Sequence, residues 1–202
     1  MDIAAVTKAA GRLRLAAKHA EALKVCKSHE EFCDTWYQFL VTYKNVYTAL
    51  DQGSKASPQS RQWFGAKKNE RRDDPLLQYL FQARDADEHG IESVTQFVPG
   101  SLAIGVAKPG FSQSVRISNL KVGADGALHR AEVASLDGLP VLVEETNPHS
   151  KLVAVTGRGP VVYAVPSTHL GNALPDAFPT TFADLAVTYL SALVEEARAR
   201  SA

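Results

Sequence analysis

The sequence predicts an α+β chain: an N-terminal antiparallel helical bundle, a small antiparallel β-meander after it, and one C-terminal helix. Three observations carry this reading. Residues 3–90 repeat apolar side chains at three- and four-residue steps, residues 101–165 break into short valine-rich or alternating runs, and turn signals separate those runs at regular intervals. The connections are too short for crossover helices, which excludes a parallel nucleotide-binding sheet.

Residues 3–26 are alanine-rich and free of proline, and they set Val6, Ala10, Leu13, Ala17, Ala20 and Leu23 at helical intervals. Ser28-His29-Glu30-Glu31 then fits a capping box, with Ser28 accepting from the amide three residues on while Glu31 reaches back. From there Phe32, Trp36, Phe39, Leu40, Tyr43, Val46, Tyr47 and Leu50 form an aromatic stripe to about residue 50, read as a core face. The stretch 53–58 breaks the pattern, and a shorter third helix is expected over residues 59–69. Asp74 before Pro75 supplies an N-cap and a first-turn proline for a fourth helix, which Gly90 can end.

The expected strands cover residues 101–108, 114–122, 127–135, 140–145, 152–156 and 161–165. Between them lie Pro109-Gly110, Gly123-Ala124-Asp125-Gly126, Asp137-Gly138, Asn147-Pro148 and Gly157-Arg158-Gly159-Pro160. A proline-punctuated linker over 166–179 leads to an amphipathic helix over 182–198, capped by Thr180 or Thr181. Its Leu185, Tyr189, Leu193 stripe must cover either the sheet or the bundle. The expected layout is a helical domain over 1–92, a β domain over 98–166, and linker plus helix over 167–202.

Among 202 residues, 22 basic and 22 acidic side chains cancel, so any polyanion site must come from local segregation of charge. Cys26 and Cys33 are too few for a disulfide framework, and the N-terminus has no signal-peptide pattern, which points to the cytoplasm. No apolar run reaches the roughly 18 to 20 residues of a membrane span, so no membrane partner is expected.

The densest chemistry is Arg84-Asp85-Ala86-Asp87-Glu88-His89, at the end of the fourth helix. This run resembles the signature of the HEPN superfamily, an arginine followed by a polar residue and then a histidine four to six residues after the arginine; the resemblance covers residues 1–92 and leaves out the sheet. Arg14 and His19 share the spacing, but leucine follows that arginine. The resemblance implies a metal-independent endoribonuclease of the toxin–antitoxin or antiphage kind. It would act as a homodimer on single-stranded RNA, with an antitoxin or other protein as partner and no cofactor or metal.

The residue types suit that chemistry. His89 can take the proton of a ribose 2′-hydroxyl near neutral pH, Arg84 can hold the charge of the phosphorane-like transition state, and Asp85, four residues before His89, can orient the imidazole. The same side chains also fit a structural role, with Arg84 paired along the helix to Asp87 or Glu88. Lys55, Arg61, Lys67, Lys68, Arg71 and Arg72 are opposed only by Glu70 and flank Trp63-Phe64. Interleaved cations and rings can grip a single strand, with Lys67, Lys68, Arg71 and Arg72 as RNA-binding residues, or they can form a solvated face over a core.

Other groups carry less. Cys26, His29 and Cys33 fall short of a four-ligand zinc site, and Ser167 with His169 belongs to a loop that can either face a ligand or simply connect. The rival function is a non-catalytic helical interaction module whose sheet binds a protein partner or small ligand.

Overall fold

Asp2 starts the first helix by accepting from the amides of Ala4 and Ala5, at 2.7 and 3.2 Å. The computed structural model describes residues 1–91, 93–106, 112–123, 128–157 and 160–201, with the backbone alone at 89, 106 and 128–130. Helix α1 (Ile3–Leu23) ends earlier than its alanine-rich composition suggests. The reason is local: Ser28 must be extended to cap the next helix, so the chain unwinds ahead of it.

Helix α2 (His29–Ser54) begins as the capping box requires, with Ser28 Oγ accepting from the Glu31 amide at 3.1 Å. The returning Glu31 carboxylate accepts from Lys27, at 2.9 Å, one residue earlier than the motif implies. The helix then runs on through Gly53, which was expected to break it. Gly53 is a contact residue: a Cβ there would stand 2.5 Å from Ala5 Cβ, and its carbonyl accepts from the Asp2 amide at 3.2 Å. The missing side chain lets the start of α1 lie against the end of α2.

Helix α3 (Pro58–Asp73), capped by Ser57, also outruns its expected end at 69. Asp74 is both the C-cap of α3 and the N-cap of α4 (Pro75–His89), accepting from Leu77 at 2.8 Å, and Gly90 follows the last helical residue. Helix α5 (Pro179–Ala199) starts at Pro179, with Phe178 in the cap position and no side-chain cap from Thr180 or Thr181. It returns to the bundle, burying Phe182, Ala186, Leu190, Leu193 and Ala197, and the Met1 ammonium donates to the Arg200 carbonyl at 2.9 Å. Trp36, Phe39, Leu40, Tyr43 and Leu50 of the aromatic stripe are fully buried, as a core face should be.

Ten short strands follow: β1 (Thr95–Val98), β2 (Ser101–Val106), β3 (Val115–Val122), β4 (Leu128–Ser135), β5 (Val141–Thr146), β6 (His149–Leu152), β7 (Val155–Thr156), β8 (Val162–Tyr163), β9 (Thr168–His169) and β10 (Asn172–Ala173), counted among the described residues. The middle strands are nested: β3 pairs antiparallel with β4 inside the antiparallel pair β2–β5, and β1 pairs with β6. Hairpins β7–β8 and β9–β10 close locally. The expected turns at Pro109-Gly110, 124–126 and Arg158-Gly159, and the strand ends at 107–108, lie outside the described residues. Within the expected linker, Leu170 and Gly171 both take positive φ, 49° and 79°, and make the tight turn between β9 and β10.

Two compact units result, residues 1–96 with 151–202, and residues 97–150. The α+β class is therefore observed, while residues 151–166 group with the helices. Among the described residues no helix is long and apolar enough to cross a membrane.

Candidate functional site

Arg84 lies on α4 with its guanidinium turned along its own helix. Nη1 is 3.2 Å from Asp85 Oδ1, Nη2 is ion-paired with Glu88, and Nε is buried with no hydrogen-bond partner. Lys44 of α2 is ion-paired with the same Asp85 oxygen. Partial burial pushes the Asp85 carboxyl up, but the hydrogen bond and charge of Lys44, joined by Arg84, outweigh it and hold the group below its ordinary value. Burial alone pushes Asp87 up.

The expected catalytic set is thus only partly assembled. Arg84 and Asp85 meet each other, but Arg84 is engaged by Asp85 and Glu88 and Asp85 by Lys44. Helix α4 is unbroken to His89, so positions 84 and 89 stand about 140° apart around its axis. The His89 side chain lies outside the described residues.

A cleft next to this cluster has a stronger physical signature. Lys44, Tyr47, Thr48 and Asp51 recur along one face of α2, Phe64, Lys68 and Arg71 along one face of α3, and Phe81 joins from α4. Together they line a cavity of about 270 Å³. Arg71 is 8% exposed, with its guanidinium carbon 3.7 Å from the Phe81 ring centroid and 5.4 Å from that of Tyr47. Lys44 Nζ stands 4.7 Å from the Phe81 centroid, and Lys68 Nζ, 5.6 Å from that of Phe64, bonds Asp51 at 3.0 Å.

Arg71 differs from these lysines in having no carboxylate or other hydrogen-bond partner among the described residues, and its Nε is a buried orphan. Desolvation pulls its pKa below the usual arginine value, yet arginine stays charged in proteins. Removing an ion from water costs several kcal/mol, whereas each ring face returns about 0.5–2 kcal/mol. Two ring faces and the charge of Asp85, which makes no hydrogen bond to Arg71, offset that burial only in part. An anion in the cleft would offset the difference.

A second cavity, about 430 Å³, is lined by Lys44, Phe81, Gln82, Asp85 and Tyr163, and so shares Lys44 and Phe81 with the first. It lies between Lys44 of α2, the charged end of α4 and Tyr163.

The four expected RNA-binding residues divide. Lys68 and Arg71 line the cleft. Lys67 instead bonds Glu196 at 3.0 Å, in a network where Trp63 donates to the same carboxylate and Arg200 lies over Trp63. Arg72 lines a separate cavity with Pro75, Gln78 and the 162–168 segment. Lys44, Asp51 and Phe81 were not singled out by the sequence reading. The available signal was a lysine set directly beside Tyr43 in the aromatic stripe, a costly position unless its charge is used.

The remaining candidates have structural partners. Cys33 Sγ is 3.5 Å from His29 Nε2 and 3.1 Å from Thr95 Oγ1, whereas Cys26 Sγ bonds the Ala22 carbonyl. Among the described residues no three His, Cys, Asp or Glu side chains are grouped to hold a metal. His169 is buried, with Nδ1 3.0 Å from Asp74 Oδ1 and its ring edge-on to Tyr189, so it fastens the β9–β10 turn to the corner between α3 and α4. Comparison with protein-family models, curated proteins and solved structures finds no match to this chain.

Proposed function

We propose that the helical unit binds single-stranded RNA without cutting it, as a binding-only HEPN-like module. The engagement of Arg84 by Asp85 and Glu88 is the observation that carries this reading. A phosphorane seeking that guanidinium would have to displace two carboxylates and approach a helix end that also bears Asp87. Arginine held in this way stabilises α4, and its unpaired Nε is buried, out of reach of transition-state charge. The hairpin unit exposes Ile117, Leu120, Leu142 and Val143, which suits a protein partner or small apolar ligand as its own contact.

The test is anisotropy and gel analysis of a labelled single-stranded RNA mixed with purified protein in EDTA. Binding with the strand left intact, unchanged in His89→Ala, is expected. Cutting by the wild type that His89→Ala abolishes would overturn the proposal in favour of a metal-independent endoribonuclease. That second reading draws on the cavity that Asp85 shares with Lys44 and Gln82 beside the motif. In it His89 is the base, Arg84 the charge stabiliser and Asp85 the orienting group, with two copies of the chain meeting at the motif. Absence of any RNA binding would sink both.

A further inference from the structure

We propose that the cleft between α2, α3 and α4 is a phosphate subsite whose central cation is Arg71, and that it takes a backbone phosphate of single-stranded RNA. This rests on the RNA-binding reading above and places it on particular residues.

The argument begins with charge. Lys44, Lys68 and Arg71 face the cavity with Asp51 and Asp85 as their nearby acids, and the two lysines hold those two carboxylates. Arg71 is left over: buried, flanked by ring faces and without a hydrogen-bond partner at Nε. The uncompensated charge is therefore a single positive one, matching the single negative charge of a phosphodiester better than the nearly double charge of a free phosphomonoester. Guanidinium donors form a planar fork that fits two phosphate oxygens, while Lys44 and Lys68 can each turn a remaining N–H toward the same group.

The walls point the same way. Tyr47, Phe64 and Phe81 give the cleft an apolar lining that a hydrated inorganic ion does not need and a ribose or base edge does. A second cavity, which also has Lys44 and Phe81 in its lining, lies beside Gln82 and Tyr163 and gives a neighbouring nucleotide somewhere to lie. Two neighbouring cavities favour a strand over an isolated anion.

The test compares wild type with Arg71→Met, which keeps an unbranched side chain of comparable reach and removes the charge. With a short labelled oligouridylate, Arg71→Met is expected to weaken binding about tenfold and to flatten the dependence of log K on log salt by roughly 0.7, one phosphate contact on a single strand. Its thermal midpoint should hold or rise, because a buried unpaired charge has gone. Arg198→Met, which removes an exposed charge on α5, should leave both readouts unchanged.

Equal affinity and slope in wild type and Arg71→Met would overturn the subsite while leaving RNA binding intact. Failure of the wild type to bind RNA would instead remove the reading on which the subsite rests. Titration with uridine monophosphate separates the sources: Arg71-dependent binding of the nucleotide as tight as that of the oligomer would overturn the strand assignment in favour of a free nucleotide. If Arg71→Met does not fold, Lys68→Met serves in its place, with a several-fold loss of oligomer binding expected and no loss overturning the proposal.

Discussion

Asp74 concentrates more structure than any other side chain in the helical unit. Its two oxygens accept from the Leu77 amide, the Leu170 amide and His169 Nδ1, so one residue caps α4, holds a turn at positive φ and fixes a buried imidazole. Asp74→Ala removes a cap of about 1 kcal/mol and strands a hydrogen-bond donor at about 1–3 kcal/mol, so a loss of about 3 kcal/mol is expected from urea midpoints at constant m. Asp51→Ala breaks only the Lys68 pair, about two-fifths exposed on both sides, and should cost under about 1 kcal/mol. Equal losses in the two variants would refute this ranking. Asp85 adds a pH signature. Its carboxyl is held below the ordinary value of about 3.9, so the folded state binds that proton less readily than the unfolded chain. The stability it contributes is complete above that ordinary value and is lost as pH falls through the folded one. Urea midpoints of wild type and Asp85→Asn should therefore converge as the solution is taken from about pH 5 downward; a gap that stays constant would show that Lys44 and Arg84 do not stabilise the ionised form.

Helix by helix, the glycines separate two physical roles that look alike in the sequence. Gly53 and Gly65 both lie inside helices, but a Cβ at Gly53 meets Ala5 at 2.5 Å whereas one at Gly65 meets nothing within 4 Å. Gly65→Ala should stabilise by about 0.5–1 kcal/mol through helix propensity. Gly53→Ala gains the same propensity but forces α1 from α2, an overpacking cost of about 1–3 kcal/mol, so a net loss of about 1 kcal/mol is expected. Thermal midpoints moving in opposite directions would bear this out, and a rise in both would refute it. This pair also shows what was legible beforehand. The caps Ser28 and Asp74 and the stripe from Phe32 to Leu50 specify local structure through local chemistry, so these helices could be read from the sequence, whereas the Ser57 cap of α3 lay inside the expected break. Gly53 reads as a breaker unless its neighbour across the bundle is known. Strand nesting has the same origin, because β2 meets β5 through residues far apart in sequence. At the candidate site, Arg71 and Lys68 were visible as part of a basic run, but Lys44 and Phe81 become neighbours of Arg71 only after three helices pack.

Across the molecule, burial is divided very unevenly between the two units. Among the described residues every buried one belongs to 1–96 or 151–202, none of 97–150 is buried, and Ile117, Leu120, Val122, Leu142 and Val143 are exposed. The hairpins of that unit rest on backbone ladders and on local bonds such as Ser114 N to Asp137 Oδ2 at 2.9 Å and Ser135 Oγ to Asp137 Oδ1 at 2.8 Å. Paired strands lacking a buried face are marginal in water. Stability of the whole chain should therefore be that of the helical unit, where α1, α2, α4 and α5 share one apolar cluster. The chain leaves and re-enters this unit at adjacent points, since the Val153 amide donates to the Val94 carbonyl at 3.3 Å. Replacing residues 97–150 by a short Gly-Ser loop closes a gap already bridged by the fold, so the entropic cost of the connection does not rise. The shortened chain is expected to unfold cooperatively with a midpoint within a few degrees of the full chain, as measured by helical circular dichroism. In the full chain, amides of β3 and β4 should exchange with solvent at far lower opening free energy than those of α2. A shortened chain that loses its cooperative transition, or β3 amides protected as strongly as those of α2, would mean that the hairpins contribute to the core.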